Sequence, residues 1–340
     1  MSSDLTKVHS ILWPVDREDR PLLEIHPLSK QGSFKLDGNG PEAPATNRRK
    51  RSSEAILSLA QAMCNEGAVD ADALGFMAKM LVQTTLPHRA QPGKQYTRAD
   101  GDVTLSITDL GGAGLPYGAY PRLILVWMTT EALRTGQRKL ELGRSLSSFM
   151  GQLGLQCTGG HWGTIPRFRG QMERLFGAAI STRWRGEQDG QNHSGGSNLL
   201  LAEEFDLWWT PQKLPQTVLG QSSVTLSQRF FEQLIEAPVP LDLRAIKALK
   251  RSPLSLDLYA WATRRVSYLR RPLRLSWASF QVSFGTGYAE TPQGRSRFRG
   301  NAIEALRRVK AVYPQLKIEI LRDGVLVYPS LTHIPKCSPA

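Results

Sequence analysis

Cysteine is scarce: Cys64, Cys157 and Cys337 are the only three in 340 residues, too few and too scattered for a disulfide framework or a repeated zinc knuckle. A reducing cytoplasm is the expected compartment. Long apolar runs are missing as well. Residues 1–13 hold no signal-peptide core, and the most apolar stretch, residues 123–128 directly after Arg122, is far too short to span a bilayer. No membrane is expected as a partner.

Catalytic signatures are equally absent. No G-x-x-x-x-G-K-[ST] phosphate cradle occurs, and Gly93-Lys94 stands without the rest of it. The Gly-rich residues 111–118 are followed by no lysine and read as a tight turn. Tyrosyl strand nicking would want two histidines one residue apart to hold a metal, and His9, His26, His88, His161, His193 and His333 never come that close; His-x-x-Arg is also missing. Asp100-Gly101-Asp102 reads as a strand lead-in, and Cys157 with His161 lacks two further zinc ligands. The expectation is a protein that is not an enzyme, with no catalytic residue, no cofactor and no metal.

What is present is a globular composition, 41% apolar and 21% charged, long enough for about two domains. The net charge of +13 is concentrated. Residues 1–110 carry −1, residues 111–222 carry +3, and residues 223–340 carry +11, from 19 basic and 8 acidic side chains. A field of that sign and density attracts a polyanion, nucleic acid foremost.

Along the chain, residues 31–51 are turn-rich and end in the solvated basic quartet Arg48-Arg49-Lys50-Arg51. Helical spacing follows over residues 53–65 and 70–84, with Ser53 and Asp70 as N-caps. Then come a strand at 103–107, a long helix at 119–134 ended by Gly136, a strand at 139–142, and helices at 145–153 and 164–179. Residues 186–196 look like turns and 197–209 like a strand. Residues 211–221 read as a linker. The second half predicts helices at 226–237, 243–250 and 254–269, a strand at 273–275, helices at 276–283 and 291–313, and a hairpin about Asp323-Gly324.

These halves repeat one another. Arg167-Phe168-Arg169-Gly170 recurs as Arg297-Phe298-Arg299-Gly300; Ser148-Phe149 and Ser279-Phe280 precede them at nearly the same distance; and the long helices before those share Trp127 and Trp261. Helix, strand, helix, helix, hairpin is the element order of a winged helix. The expected fold is therefore α+β: two tandem winged-helix domains, each a helix-turn-helix with a β-hairpin wing. The first occupies residues 97–215 and the second 223–332, behind an N-terminal extension, residues 1–96, that is flexible to about residue 52 and helical thereafter.

Each repeated helix is apolar on one side and cationic on the other. In the second copy Phe298, Ala302, Ala305, Leu306 and Val309 form the core stripe, while Arg297, Asn301, Glu304 and Arg308 project as base-reading types and Arg295, Arg299, Arg307 and Lys310 flank them as phosphate contacts. In the first copy Arg167, Gln171 and Arg174 oppose Phe168, Met172 and Leu175, with Arg169 alongside. Arg270, Arg271 and Arg274 add positive charge nearby, as do Lys247, Lys250, Arg251, Arg264 and Arg265, and His193 is a phosphate neighbour in a wing. Double-stranded DNA is the expected partner.

Residues 114–127, Gly-Leu-Pro-Tyr-Gly-Ala-Tyr-Pro-Arg-Leu-Ile-Leu-Val-Trp, resemble the opening segment of plasmid-encoded replication initiators of the RepA type. So do residues 142–150, Leu-Gly-Arg-Ser-Leu-Ser-Ser-Phe-Met, followed by Gly159-Gly160 and the Arg167 helix. The resemblance covers about residues 97–330. It implies binding to directly repeated origin sites called iterons, opening of the adjacent duplex, recruitment of the host replication initiator and helicase, and copy control in the bacterial cytoplasm. It also implies a homodimer that acts as an autorepressor. The residues alone leave open a transcriptional repressor that binds an operator without melting an origin.

Overall fold

The computed structural model describes residues 66–335 except 69–70, 84, 101–102, 144, 189–190, 209–221 and 286. The expected helix at 53–65 and the basic quartet at 48–51 lie outside the described residues.

The expected helix over 70–84 is strand β1 (Leu74–Ala78) followed by a short helix, α1 (Lys79–Gln83). Apolar residues at 74, 77, 80 and 81 satisfy helical spacing, but a long-range partner decides the outcome: β1 pairs antiparallel with β9 (Pro238–Asp242), Leu74 opposite Asp242. Gly75 permits the close approach, since a Cβ there would lie 2.3 Å from Leu243.

β2 (Gln95–Asp100) and β3 (Val103–Asp109) pair next. Helix α2 (Ala119–Thr135) ends where Gly136 turns left-handed at φ 66° and donates to the Ala132 carbonyl. There follow β4 (Lys139–Glu141), α3 (Leu146–Gln152) and α4 (Thr164–Phe176). Next come β5 (Ala178–Gln188), β6 (Gln191–Leu200), β7 (Ala202–Asp206) and β8 (Ser223–Leu226). Residues 186–188 and 191–196, expected as turns, belong to strands β5 and β6. A glycine among them serves a cross-strand contact: Gly195 stands opposite Trp184, and a Cβ there would meet the indole at 2.5 Å. The base of this hairpin joins the four-stranded sheet β2-β3-β5-β6, and past Trp184, where pairing with β3 ends, its two strands pair only with each other, His193 opposite Gly186.

Helices α5 (Gln228–Glu236), α6 (Leu243–Leu249) and α7 (Pro253–Val266) open the second half. It continues through β10 (Leu273–Ser276), α8 (Trp277–Phe284), α9 (Pro292–Val312), β11 (Ile318–Ile320) and β12 (Gly324–Val327).

The repeat is three-dimensional. α2-β4-α3-α4-β7-β8 and α7-β10-α8-α9-β11-β12 run in the same order, and their sheets, β4-β8-β7 and β10-β12-β11, place the last strand in the middle in both. Local chemistry repeats as well: Ser145 caps α3 by accepting from Ser148 N, and Ser276 caps α8 by accepting from Ser279 N, each at 3.1 Å. The rings pack alike, edge-on and then tilted. Trp127, Phe149 and Phe168 have successive centroid separations of 4.7 and 5.8 Å, and Trp261, Phe280 and Phe298 of 6.1 and 6.2 Å. The β5–β6 hairpin is an insertion in the first copy only.

Two expected boundaries shift. β8, placed at the start of the second domain, completes the sheet of the first unit, so residues 211–221 connect paired strands rather than two domains. β1, placed in the extension, pairs with the second half.

One buried network ties the halves together. Arg122 of α2, 2% exposed, meets Asp257 of α7 through Nε at 2.6 Å and Nη2 at 2.8 Å, and also donates to the carbonyls of Gly118 and Leu86, each at 2.6 Å. His88 Nε2 lies 2.7 Å from the same carboxylate. Arg98 adds a second strut, donating to Thr85 at 2.7 Å and to the Ser283 carbonyl of α8. No helix among the described residues is long and apolar enough to cross a membrane.

Candidate nucleic-acid interface

α9 is positioned by its two ends and one stripe. Thr291 caps it by accepting from Gly294 N at 3.1 Å, Pro292 presets the first turn, and Phe298, Ala302, Ala305, Leu306, Val309 and Val312 are buried. The opposite side is exposed. Arg297 and Arg307 stand there with no partner among the described residues. Glu304 lies between them and forms an i,i+4 pair with Arg308 at 3.1 Å. Five arginines and one lysine against one glutamate over residues 293–310 leave the surface of this helix strongly cationic.

The flanking residues have local partners. Arg299 lies over the Trp277 ring, 5.4 Å from its centroid, Asn301 donates to the Tyr288 hydroxyl at 2.8 Å, and Arg295 donates to the Glu290 carbonyl. Lys310 departs from the expectation of a phosphate contact. Its Nζ donates to the carbonyl of Pro314 at 2.8 Å and to that of Leu316, satisfying carbonyls just past the end of α9. Arg270 and Arg271 are exposed in the α7–β10 connection without a partner among the described residues, whereas Arg274 is paired with Asp323.

α4 is less cationic outward than its pattern promises. Arg167 is exposed, its Nε 3.1 Å from the Gly163 carbonyl, and Arg169 pairs with Glu173 at 3.0 Å. Gln171, expected on the outer face, is 7% exposed and accepts from Tyr117 N at 2.8 Å. Arg174 likewise turns back, 5.3 Å from the Tyr117 ring centroid and 3.4 Å from the Leu115 carbonyl. Both brace the Leu-Pro-Tyr-Gly turn, a long-range demand that helical periodicity cannot reveal.

Other expected cations are also engaged. Lys250 donates to the Gly154 carbonyl, and burial, with Arg251 and Lys247 nearby, holds its pKa below the usual lysine value. Arg264 and Arg265 both lie over Tyr268, at 5.3 and 5.2 Å. Lys247 and Arg251 remain exposed. Three exposed features went unread in the sequence: Arg183 and Arg185, alternating along β5, and Trp162, 85% exposed beside His161 in the turn between α3 and α4. The period-two spacing of the arginines was the available signal. Among the described residues no group of three or more His, Cys, Asp or Glu could hold a metal, and Cys157 is a free, exposed thiol.

The arrangement is a duplicated unit whose later copy carries a cationic helix face, with Arg297 and Arg307 exposed and without a partner among the described residues. Residues 115–278 match the family model of the plasmid encoded RepA protein, so the resemblance expected from the sequence holds over that segment. No curated protein matches the chain significantly. Among solved structures the chain is similar to a selenomethionine derivative of domains 2 and 3 of RctB, with TM-score 0.48, 11% identity, and coverage of 74% of this chain and 96% of that one. A second structure of RctB domains 2–3 gives TM-score 0.46, 12% identity, and coverage of 73% and 94%.

Proposed function

We propose that the chain is a sequence-specific double-stranded DNA-binding protein that initiates plasmid replication, and that it does so without catalysis of its own. The observation that carries the reading is the outer face of α9, where Arg297 and Arg307 project without partners among the described residues from a helix whose other side is core. Each six-element unit is a winged helix in which α4 or α9 is the third helix and the β7–β8 or β11–β12 pair the wing. α9 enters the major groove as the main reader. α4 is the lesser one, with Arg167 as its outward arginine. The Arg122–Asp257 network sets the angle between them, so one chain spans successive grooves about one helical turn apart. The family match supports a plasmid context, and the repeated origin sites, origin opening, recruitment of a host initiator and helicase, and autorepression by a dimer belong to this reading. In this reading binding and bending energy drive the opening.

Enrichment of random duplexes at physiological salt, followed by permanganate mapping of a supercoiled plasmid carrying the selected site, tests it. Selection of a defined site and reactive bases beside it are expected. A selected site that stays unmelted would make the protein an operator-binding repressor, and the absence of any selected site would remove DNA reading altogether.

Two substitutions sharpen the test. Arg297→Ala should cost about 1–3 kcal/mol of affinity and relax selection at one base pair. Arg307→Ala should weaken all sequences alike and lower the salt slope by about 1. Unchanged specificity for Arg297→Ala would show that the helix is not docked on that side.

A further inference from the structure

Gly170 and Gly300 close the two repeated tetrapeptides, and both lie inside helices, where glycine gives up more backbone freedom than any other residue. The fold supplies neither with a reason. Neither has a positive φ, and a Cβ built at either would meet nothing within 4 Å. The glycines near the start of the same helices differ: a Cβ at Gly163 would lie 2.2 Å from the Thr158 carbonyl oxygen, and one at Gly294 would lie 2.0 Å from that of Ala289. At those two positions the chain needs glycine for its own packing.

Position on the helix gives the missing reason. At ~100° per residue, Gly300 stands roughly 200° around the axis from the buried Phe298, and Gly170 the same from Phe168. Each glycine therefore sits at the crown of the outer face. On α9 Arg297 precedes it, and Glu304 and Arg307 follow one and two turns on; on α4 Arg167 precedes it.

We infer that Gly300, and Gly170 in the other copy, is the point at which its helix makes closest approach to duplex DNA, with the helix backbone against the floor of the major groove and no room for a methyl group between them. The inference rests on the DNA reading above. A bare crown lets the helix axis settle deeper, which brings the arginines beside it within reach of base edges and phosphates on both walls of the groove. Any side chain at the crown would hold the axis away and lengthen every contact at once.

Gly300→Ala and Gly170→Ala separate this from a folding role. Thermal denaturation and far-UV circular dichroism of the free variants would be read beside their affinity for the duplex that the wild-type chain selects. Alanine is the better helix former, so the melting temperature is expected to hold or rise, while affinity falls by about tenfold or more. The salt slope should stay at the wild-type value, because no charge is removed. Wild-type affinity in a variant would overturn the inference for that helix, as would a loss of affinity that comes with a lower melting temperature. If the wild-type chain selects no duplex, the DNA reading itself has failed and this inference falls with it.

Discussion

Asp257→Ala is expected to destabilise the folded chain by about 3–5 kcal/mol, because it leaves the Arg122 guanidinium buried without its counter-charge. Arg122 is 2% exposed and cannot turn to water. The carbonyls of Gly118, Leu86 and Pro87 still accept from it, yet none carries a charge to offset its own. Urea unfolding would measure the loss. Replacing Arg122 and Asp257 together by apolar residues of similar volume should recover much of it, since a buried pair removed whole is often close to neutral. A loss under about 1 kcal/mol for Asp257→Ala would mean that water reaches the pair and that the halves are not locked through it. The same variant should loosen the angle between the two units, so its duplex affinity should fall further than the distance of Asp257 from the outer face of α9 would suggest.

His88 of this network and His333, whose Nδ1 lies 2.7 Å from the buried Tyr259 hydroxyl, together set a pH dependence. Burial holds the His88 pKa below its usual 6.5 despite Asp257 beside it, and burial pushes His333 down to about 4. A histidine kept neutral in the fold binds its proton more readily when unfolded, so its stabilisation is complete above about pH 6.5 and is lost as pH falls through the lower folded value. For Asp257 burial alone would raise the pKa, but the Arg122 charge and its hydrogen bonds outweigh that and hold it below 3.8. Its contribution is present above the unfolded value and lost as pH falls through the folded one. Stability should therefore decline first between about pH 6.5 and 4, with the histidines, and again below about 4, with Asp257. Equal unfolding midpoints in urea at pH 7 and pH 5 would contradict the histidine assignment.

Local signals carried much of this fold into the sequence. The helix starts at Ser145 and Ser276, Gly136, and the apolar stripe of α9 each depend on residues a few positions apart and lie where their patterns place them, whereas the expected hairpin is present with its turn at Arg322-Asp323, one residue before Asp323-Gly324, because Gly324 opens β12 opposite Leu321. What stayed hidden depends on distant partners. β1 is a strand because β9 lies beside it, and residues 186–188 and 191–196 are strands because they pair with each other, Gly195 leaving room for the Trp184 ring opposite. Gln171, Arg174 and Lys310 have the residue types of a DNA contact and spend them on turns and helix ends. Composition marked the cationic surface, but it could not say which cations were already engaged.

The register of α9 can be tested without DNA. Phe298→Ala should cost about 3–5 kcal/mol of stability, because the ring is 1% exposed and packed 6.2 Å from Phe280 and 5.3 Å from Tyr288 between centroids, so its removal leaves a cavity in the second unit. Arg297→Ala, one residue earlier and facing out, should change stability by no more than about 0.5 kcal/mol. Phe168→Ala should behave like Phe298→Ala, since its ring is also buried, 5.8 Å from Phe149 and 5.5 Å from Tyr120. Denaturant midpoints for the three variants decide the matter. A small loss at Phe298 with a large one at Arg297 would rotate the helix by one residue and turn a different set of side chains toward any ligand. A large loss at Phe298 and none at Arg297 fixes the face that carries Arg297, Gly300 and Arg307 outward, and a phenylalanine loss of similar size in both units would show that the two copies share one core design, so that an assignment of faces in α9 transfers to α4.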